Sequence, residues 1–201
     1  MDLFSSEVKD NLLPYDGEAQ YYGPILPTNL ADQCYDTLLD EIAWKHDELF
    51  IHGKHIVTQR KTAWYGDKPY AYTYSRTTKH ALPWTEGLLK LKQKIEMTSQ
   101  HTFNSCLLNL YHDGNEGMSW HSDDEKMLAP NGAIASVSLG AARKFSFKHR
   151  ESRQSLSLVL EHGSLLIMKG ETQTHWLHSL PKTKKVKRPR INLTFRTIIS
   201  E

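Results

Sequence analysis

A mainly β domain with flanking helices, built as a β-sandwich or jelly roll, is the fold class this sequence predicts, and two patterns predict it. From residue 103 onward, short runs rich in branched and aromatic residues succeed one another: "FNSCLLNLY", "AIASVSLG", "RKFSFKHR", "QSLSLVLEHG", "SLLIMKG", "THWLHSL" and "RINLTFRTII". Gly, Pro or charged turns separate several of them, and no helical stretch intervenes. Strands that follow one another without crossover helices favour antiparallel sheets packed face to face. The second pattern is that helical periodicity is confined to the first hundred residues.

Taken in order, the opening segment "MDLFSSEVKDNLLPYDGEAQ" lacks a basic start followed by an apolar run, so no secretion signal is expected. Past Pro27, Thr28 or Asn29 is placed to cap a helix carrying Leu30, Cys34, Leu38 and Ile42 at i, i+4 spacing. A second helix fits "TEGLLKLKQKIEM", with Thr85 as N-cap and Leu88, Leu91 and Ile95 on one stripe. The β-rich runs occupy the remainder. No internal repeat or low-complexity linker divides the chain, so one domain over residues 1–201 is expected. About 1–100 would hold an N-terminal extension and the helices, and about 101–201 the β core.

Composition narrows the class. An apolar fraction of 39%, with five Trp and nine Tyr, argues against disorder. A net charge of +2 is too small to name a partner, so the distribution of charge matters more than its sum. Cys34 and Cys106 form no metal or redox pattern and read as packing thiols of a reducing compartment. No run approaches the roughly 18 apolar residues of a membrane span, and a soluble, intracellular monomer is expected.

The stretch "MSWHSDDEK" at 118–126 carries the first chemical signal. On an extended strand, His121 and Asp123 at i, i+2 place both side chains on one face, as two ligands of one metal ion require. Such a pair arises about 0.6 times by chance in a chain of this composition, so alone it is weak. A third ligand is available in "THWLHSLP", where strand alternation would send His175 and His178 to opposite faces, admitting only one. Two His and one carboxylate with open positions form the facial triad of non-haem Fe(II) oxygenases. In "RPRINLTFR", Arg190, Asn192, Thr194 and Arg196 alternate with Ile191, Leu193 and Phe195. One strand face is wholly polar: either solvated surface, or a row of donors for a small dicarboxylate that Arg would grip in a bidentate fork. Asn109 and Tyr111, also i, i+2, add donors from another strand.

Together "HSD" at 121–123, the distal His in "THWLHSLP" and "RINLTFR" at 190–196 resemble the AlkB family of Fe(II)/2-oxoglutarate dioxygenases, from about residue 57 to the C-terminus. "NLYHDG", "HSDDE", "IASVSLGA" and "HGSLLIM" look nearest to its DNA-repair branch. The resemblance implies a double-stranded β-helix (jelly-roll) core preceded by a nucleotide-recognition lid. It also implies oxidative removal of alkyl groups from nucleobase nitrogens, as in 1-methyladenine or 3-methylcytosine, with O2 and 2-oxoglutarate consumed and formaldehyde, succinate and CO2 released. It assigns iron to His121, Asp123 and His178, and 2-oxoglutarate to Asn109, Tyr111, Arg190, Asn192, Thr194 and Arg196, with Arg190 on the distal carboxylate. On the substrate side, "QRKTAWYGDKPYAYTYSR" at 59–76 is similar to the lid, with Arg60, Tyr72, Tyr74 and Ser75 at contacting positions. Asp124 and Glu125 would favour cationic methylated bases by Coulomb attraction.

The basic run "KTKKVKRPR" at 182–190 is read as facing nucleic-acid phosphates, against a solvated loop or a nuclear-import signal. Where the family's repair enzyme has an aromatic wedge, an ungapped comparison puts His52. Alkylated DNA is therefore the expected partner, single-stranded if the histidine is a poor wedge. An oxygenase acting on RNA or another substrate stays open.

Overall fold

The computed structural model describes residues 9–51, 54–74 and 77–199, and turns the alternation read from the sequence into two main sheets and a separate two-stranded one. The chain begins with β1 (Glu18–Pro24), α1 (Thr28–Glu41), β2 (Lys45–Ile51) and β3 (Lys54–Gly66). After β4 (Ala71–Tyr74), β5 (Thr77–His80) and the two-residue β6 (Leu82–Pro83) comes α2 (Glu86–Ser99). The rest is β7 (Ser105–Tyr111), β8 (Met118–His121), β9 (Ile134–Gly140), β10 (Arg143–His149), β11 (Ser155–Leu160), β12 (Ser164–Lys169), the one-turn α3 (Thr172–His175), β13 (Trp176–Leu180) and β14 (Arg190–Arg196).

The larger sheet runs β1-β12-β9-β14-β7-β3-β2, with β6 beside β3, and the smaller runs β11-β10-β13-β8. From β7 to β14 the chain changes sheet at every step except between β10 and β11, which pair as a hairpin, in the manner of a jelly roll. Strand parity then fixes the layers. Odd residues of β14 (Ile191, Leu193, Phe195) pack with Cys106, Leu108 and Leu110 of β7, Val137 and Leu139 of β9, and Leu38, Leu88, Leu91 and Ile95 of the helices. Each fully buried Leu, Ile or Phe stabilises by about 1.5–3 kcal/mol. A second cluster lies between the sheets, where Tyr111, Phe145, Phe147, Leu160, Leu166, Met168, Trp176 and Leu180 meet. The larger sheet is therefore covered on both faces, by helices outside and the smaller sheet inside.

α2 forms as its sequence predicts. The Thr85 hydroxyl accepts the Leu88 N–H at 3.2 Å, the predicted stripe is buried, and Gln100 ends the helix in the left-handed region at φ 59°. α1 departs from expectation. Pro27 is its N-cap and no side chain caps it, because Thr28 and Asn29 already belong to the helix. Its buried contacts are Ala31 and Leu38, while Leu30 is exposed. Cys34, Leu38 and Ile42 face the core as the spacing predicts, and only at the first position does Ala31 take the place of Leu30, packed against Gly163, where a side chain would crowd it. Arg143, buried, donates to the carbonyls of Asp113 (3.2 Å), Glu116 (2.8 Å) and Pro181 (3.0 Å). This ties the turn before β8 to the end of β13, the two strands that carry the histidines of the site. No helix among the described residues is long and apolar enough to cross a membrane.

Candidate active site

The inner faces of the two sheets bring together residues far apart in sequence. His178 of β13 is the direct cross-strand partner of His121 on β8, which sets their ring centroids 4.2 Å apart. β8 stops at His121, so Asp123 is not on the strand as the i, i+2 argument assumed. It is placed instead by its backbone N–H, which donates to Gln173 Oε1 of α3 at 2.9 Å. The outcome is the same convergence: Nε2 of His121 and of His178 lie 3.8 and 3.9 Å from Asp123 Oδ1. Ligating atoms of all three residues fall within 4.8 Å of one another, spacing that one ion can span.

Their protonation suits a metal. His121 Nδ1 donates to the Ser119 carbonyl at 2.8 Å, which leaves Nε2 as the lone-pair nitrogen. Burial pushes His178 down to about 4, so its ring is neutral at pH 7. Burial alone raises the Asp123 carboxyl, but Arg196, His178 and His121 together hold it below its ordinary value. Arg196 Nη2 pairs with Asp123 Oδ2 at 3.1 Å, leaving Oδ1 turned to the histidines.

His175 takes no part, though not for the reason strand alternation offered. It lies in α3, its ring stacked on His149 at 6.2 Å, and the two form a separate group with Asp16. His149 Nδ1 accepts the Ser152 N–H at 3.1 Å, and its Nε2 lies 3.3 Å from Asp16 Oδ2 without a hydrogen bond.

The polar face of β14 is not solvated surface. Arg190 is 2% exposed, donates to Ser138 Oγ at 2.8 Å and lies 5.6 Å from the Tyr111 ring centre. It has no ion-pair partner among the described residues. Burial lowers its pKa to about 10, which still leaves it charged at neutral pH. Arg190 Nε and the Asn109 side-chain oxygen are buried without hydrogen bonds. A buried cation with an idle donor fits an anionic ligand such as a carboxylate. Asn192 donates to Ser136 Oγ (2.9 Å) and the Val137 carbonyl (3.0 Å), and Thr194 donates to Asn192 Oδ1 (3.3 Å). These groups and the histidines line one cavity of about 310 Å³.

The chain matches the 2OG-Fe(II) oxygenase superfamily over residues 18–196. It is 42% identical over 180 residues to human DNA oxidative demethylase ALKBH2, and 40% identical over 178 residues to human alpha-ketoglutarate-dependent dioxygenase alkB homolog 3. Each comparison covers 84% of this chain, and 69% and 62% of the relative. It belongs to the AlkB family of 2OG-Fe(II) oxygenases. The solved structure of OsALKBH1 superposes with a TM-score of 0.54 at 15% identity, covering 85% of this chain and 90% of that one, a likeness that speaks for the fold. This AlkB-family dioxygenase uses Fe(II), 2-oxoglutarate and O2, and its donor sets fit the metal and the dicarboxylate.

The remaining predicted residues are distributed unevenly in this dioxygenase. Arg60 lines the cavity from β3, where the pairing with β2 slips register, and Thr62 and Trp64 follow on the same face. Tyr72 and Tyr74 fall on β4, the first strand of the β4–β5 hairpin. Their side chains, like Ser75 and His52, lie outside the described residues. Glu125 reaches the cavity but is bound to Arg196 at 3.1 Å, and Asp124 is exposed beside Arg150 at 3.9 Å. Of the basic run, Lys182, Lys184, Lys185, Lys187 and Arg188 are exposed, whereas Arg190 turns inward.

Sequence reasoning missed Ser136, Ser138, Gln173, Trp64 and Glu48. The two serines had a signal: in "IASVSLG" they alternate with apolar residues, as the polar residues of β14 do. Gln173 and Glu48 had none, since only the fold brings them to the site.

Proposed function

We propose that this dioxygenase repairs DNA by oxidative removal of alkyl groups from nucleobase nitrogens, with 1-methyladenine and 3-methylcytosine as typical lesions. The observation that carries the reading is one cavity that holds a His-Asp-His group and a buried arginine with no ion-pair partner among the described residues. Its rim is formed by residues of the β2–β3 and β4–β5 hairpins, Glu48, Arg60 and Lys79 among them. The relatives named above supply the substrate class.

In this reading His121, Asp123 and His178 hold iron, and Asn109, Tyr111, Arg190, Asn192, Thr194 and Arg196 hold 2-oxoglutarate. Bound iron, 2-oxoglutarate and O2 supply the oxidation of an N-methyl C–H bond, after which the hydroxymethyl group leaves as formaldehyde. The protein's own share is positional. Arg196 fixes which carboxylate oxygen of Asp123 faces the metal. Ser119 fixes the His121 tautomer, and Ser138 steadies Arg190. Leu107, Met118, Phe145 and Leu180 give the cavity apolar walls that limit water. A base reaches such a site only when turned out of its stack, which is cheapest for a lesion that cannot pair.

The exposed lysines of the 182–188 loop serve phosphate. The loop is held by Gly114, whose N–H donates to the Val186 carbonyl at 2.9 Å and whose carbonyl accepts the Thr183 N–H at 2.7 Å. A Cβ on Gly114 would lie 2.1 Å from the Thr183 oxygen, so only glycine allows this approach. Reversing Lys184 and Lys185 to Glu is expected to weaken binding of single- and double-stranded DNA alike. It should also reduce the salt dependence of binding by about one unit of slope per lysine lost. An unaltered slope would return the loop to ordinary solvated surface. The reading as a whole is tested by formaldehyde and succinate release from methylated single-stranded DNA, duplex DNA and RNA in parallel. Turnover of DNA is expected; turnover confined to RNA, or none, overturns it.

A further inference from the structure

Three carboxylates among the described residues line the cavity: Asp123, Glu125 and Glu48. The first two are committed to Arg196, each at 3.1 Å, and Asp124 is absent from the lining. The acids that directly follow His121 in sequence therefore present little unmatched negative charge to a base in this cavity.

Glu48 stands differently. It lies on β2 opposite Val57 of β3, on the exposed rim of the cavity that also carries Arg60 and Lys79. Its carboxylate meets the His55 ring at 2.9 Å, with side-chain exposures of 55% for Glu48 and 46% for His55. The ring and the carboxylate are within hydrogen-bonding distance, and the pair stays about half open to solvent at the cavity mouth. On a rim otherwise supplied with cations, this acid is the group that gives the sign of the incoming base an energetic consequence.

We infer that Glu48 sets the enzyme's preference for cationic over neutral methylated bases, by attracting the positive ring of 1-methyladenine or 3-methylcytosine at the mouth of the cavity. The inference rests on the DNA-dealkylation reading above. His55 tunes it, because its hydrogen bond orients the carboxylate.

The experiment compares kcat/KM of the iron- and 2-oxoglutarate-loaded enzyme on four single-stranded oligonucleotides of one sequence. They carry 1-methyladenine, 3-methylcytosine, 1-methylguanine or 3-methylthymine, the first two cationic and the last two neutral. For Glu48→Gln the ratio of cationic to neutral kcat/KM is expected to fall about two- to fivefold, the scale of one half-solvated charge pair. Glu48→Asp, which keeps the charge, should restore most of the ratio, and Glu48→Lys should lower it further. Equal losses on all four substrates, or an unchanged ratio, would show Glu48 to be a structural rim residue and overturn the inference while the repair reading stands. If the wild type releases formaldehyde from none of the four, the repair reading fails and takes this inference with it.

Discussion

His178→Ala is expected to fold, to retain no iron after anaerobic loading and desalting, and to release no formaldehyde. Removing one of three ligands empties a facial site, because the two that remain cannot hold the ion against water. The variant leaves the Asp123–Arg196 pair at 3.1 Å intact, so the protein should still unfold cooperatively. Asp123→Ala should lose iron equally but also destabilise the fold, because it deprives the almost fully buried Arg196 of a partner. Breaking such a pair outright costs on the order of 3–5 kcal/mol, and Glu125, still 3.1 Å from Arg196, keeps the loss toward the lower end. The contrast between two ligand losses, one neutral and one charged, separates the metal role from the packing role. His175→Ala should keep its iron. Iron retained by His178→Ala and lost by His175→Ala would refute the ligand assignment, and metal content measures this without any substrate.

Arg190→Met is expected to abolish the thermal stabilisation that 2-oxoglutarate gives the wild type, without lowering the melting temperature of the ligand-free protein. Arg190 is buried, charged and without an ion-pair partner among the described residues, so in the absence of ligand its desolvation is uncompensated. An unbranched apolar side chain of similar length removes that penalty, and buried ion sites replaced this way are often neutral or more stable. In the wild type, 2-oxoglutarate at a hundred times its dissociation constant should add about 2.7 kcal/mol. Arg190→Lys keeps the charge but loses the fork, so its KM for 2-oxoglutarate should rise by about tenfold or more, with kcat less affected. A ligand-induced shift in Arg190→Met equal to that of the wild type would show that Arg190 does not grip the cosubstrate.

Much of this was legible because β structure has a period of two. In "RINLTFR" the alternation separates the residues that pack on the helices from those that line the cavity, and both faces are where the spacing puts them. The Thr85 cap and the Leu88–Leu91–Ile95 stripe were legible for the same kind of reason, being local. Three positions of the α1 stripe, Cys34, Leu38 and Ile42, were legible too, and only Leu30 was misplaced, because the close packing of Ala31 on Gly163 depends on a residue more than a hundred positions away. His175 does stand apart from His121 and Asp123, but not by strand alternation, since the strand of "THWLHSL" begins only at Trp176.

By itself, the sequence determined the residue types and their periodicity: which strands form, which of their faces are polar, and which His, Asp and Arg can bind a metal and a dicarboxylate. The tertiary structure decided which of these meet. The register of β13 against β8 put His178 opposite His121, and α3 carried Gln173 to the Asp123 backbone. The salt bridges of Arg196 withdrew Asp123 and Glu125 from the cavity's free charge, while the β2–β3 hairpin brought Glu48 to its rim. Spacing along the chain records local geometry alone. Pairing between strands, and the charge left unmatched after pairing, depend on contacts between residues distant in sequence, which only the packed sheets specify.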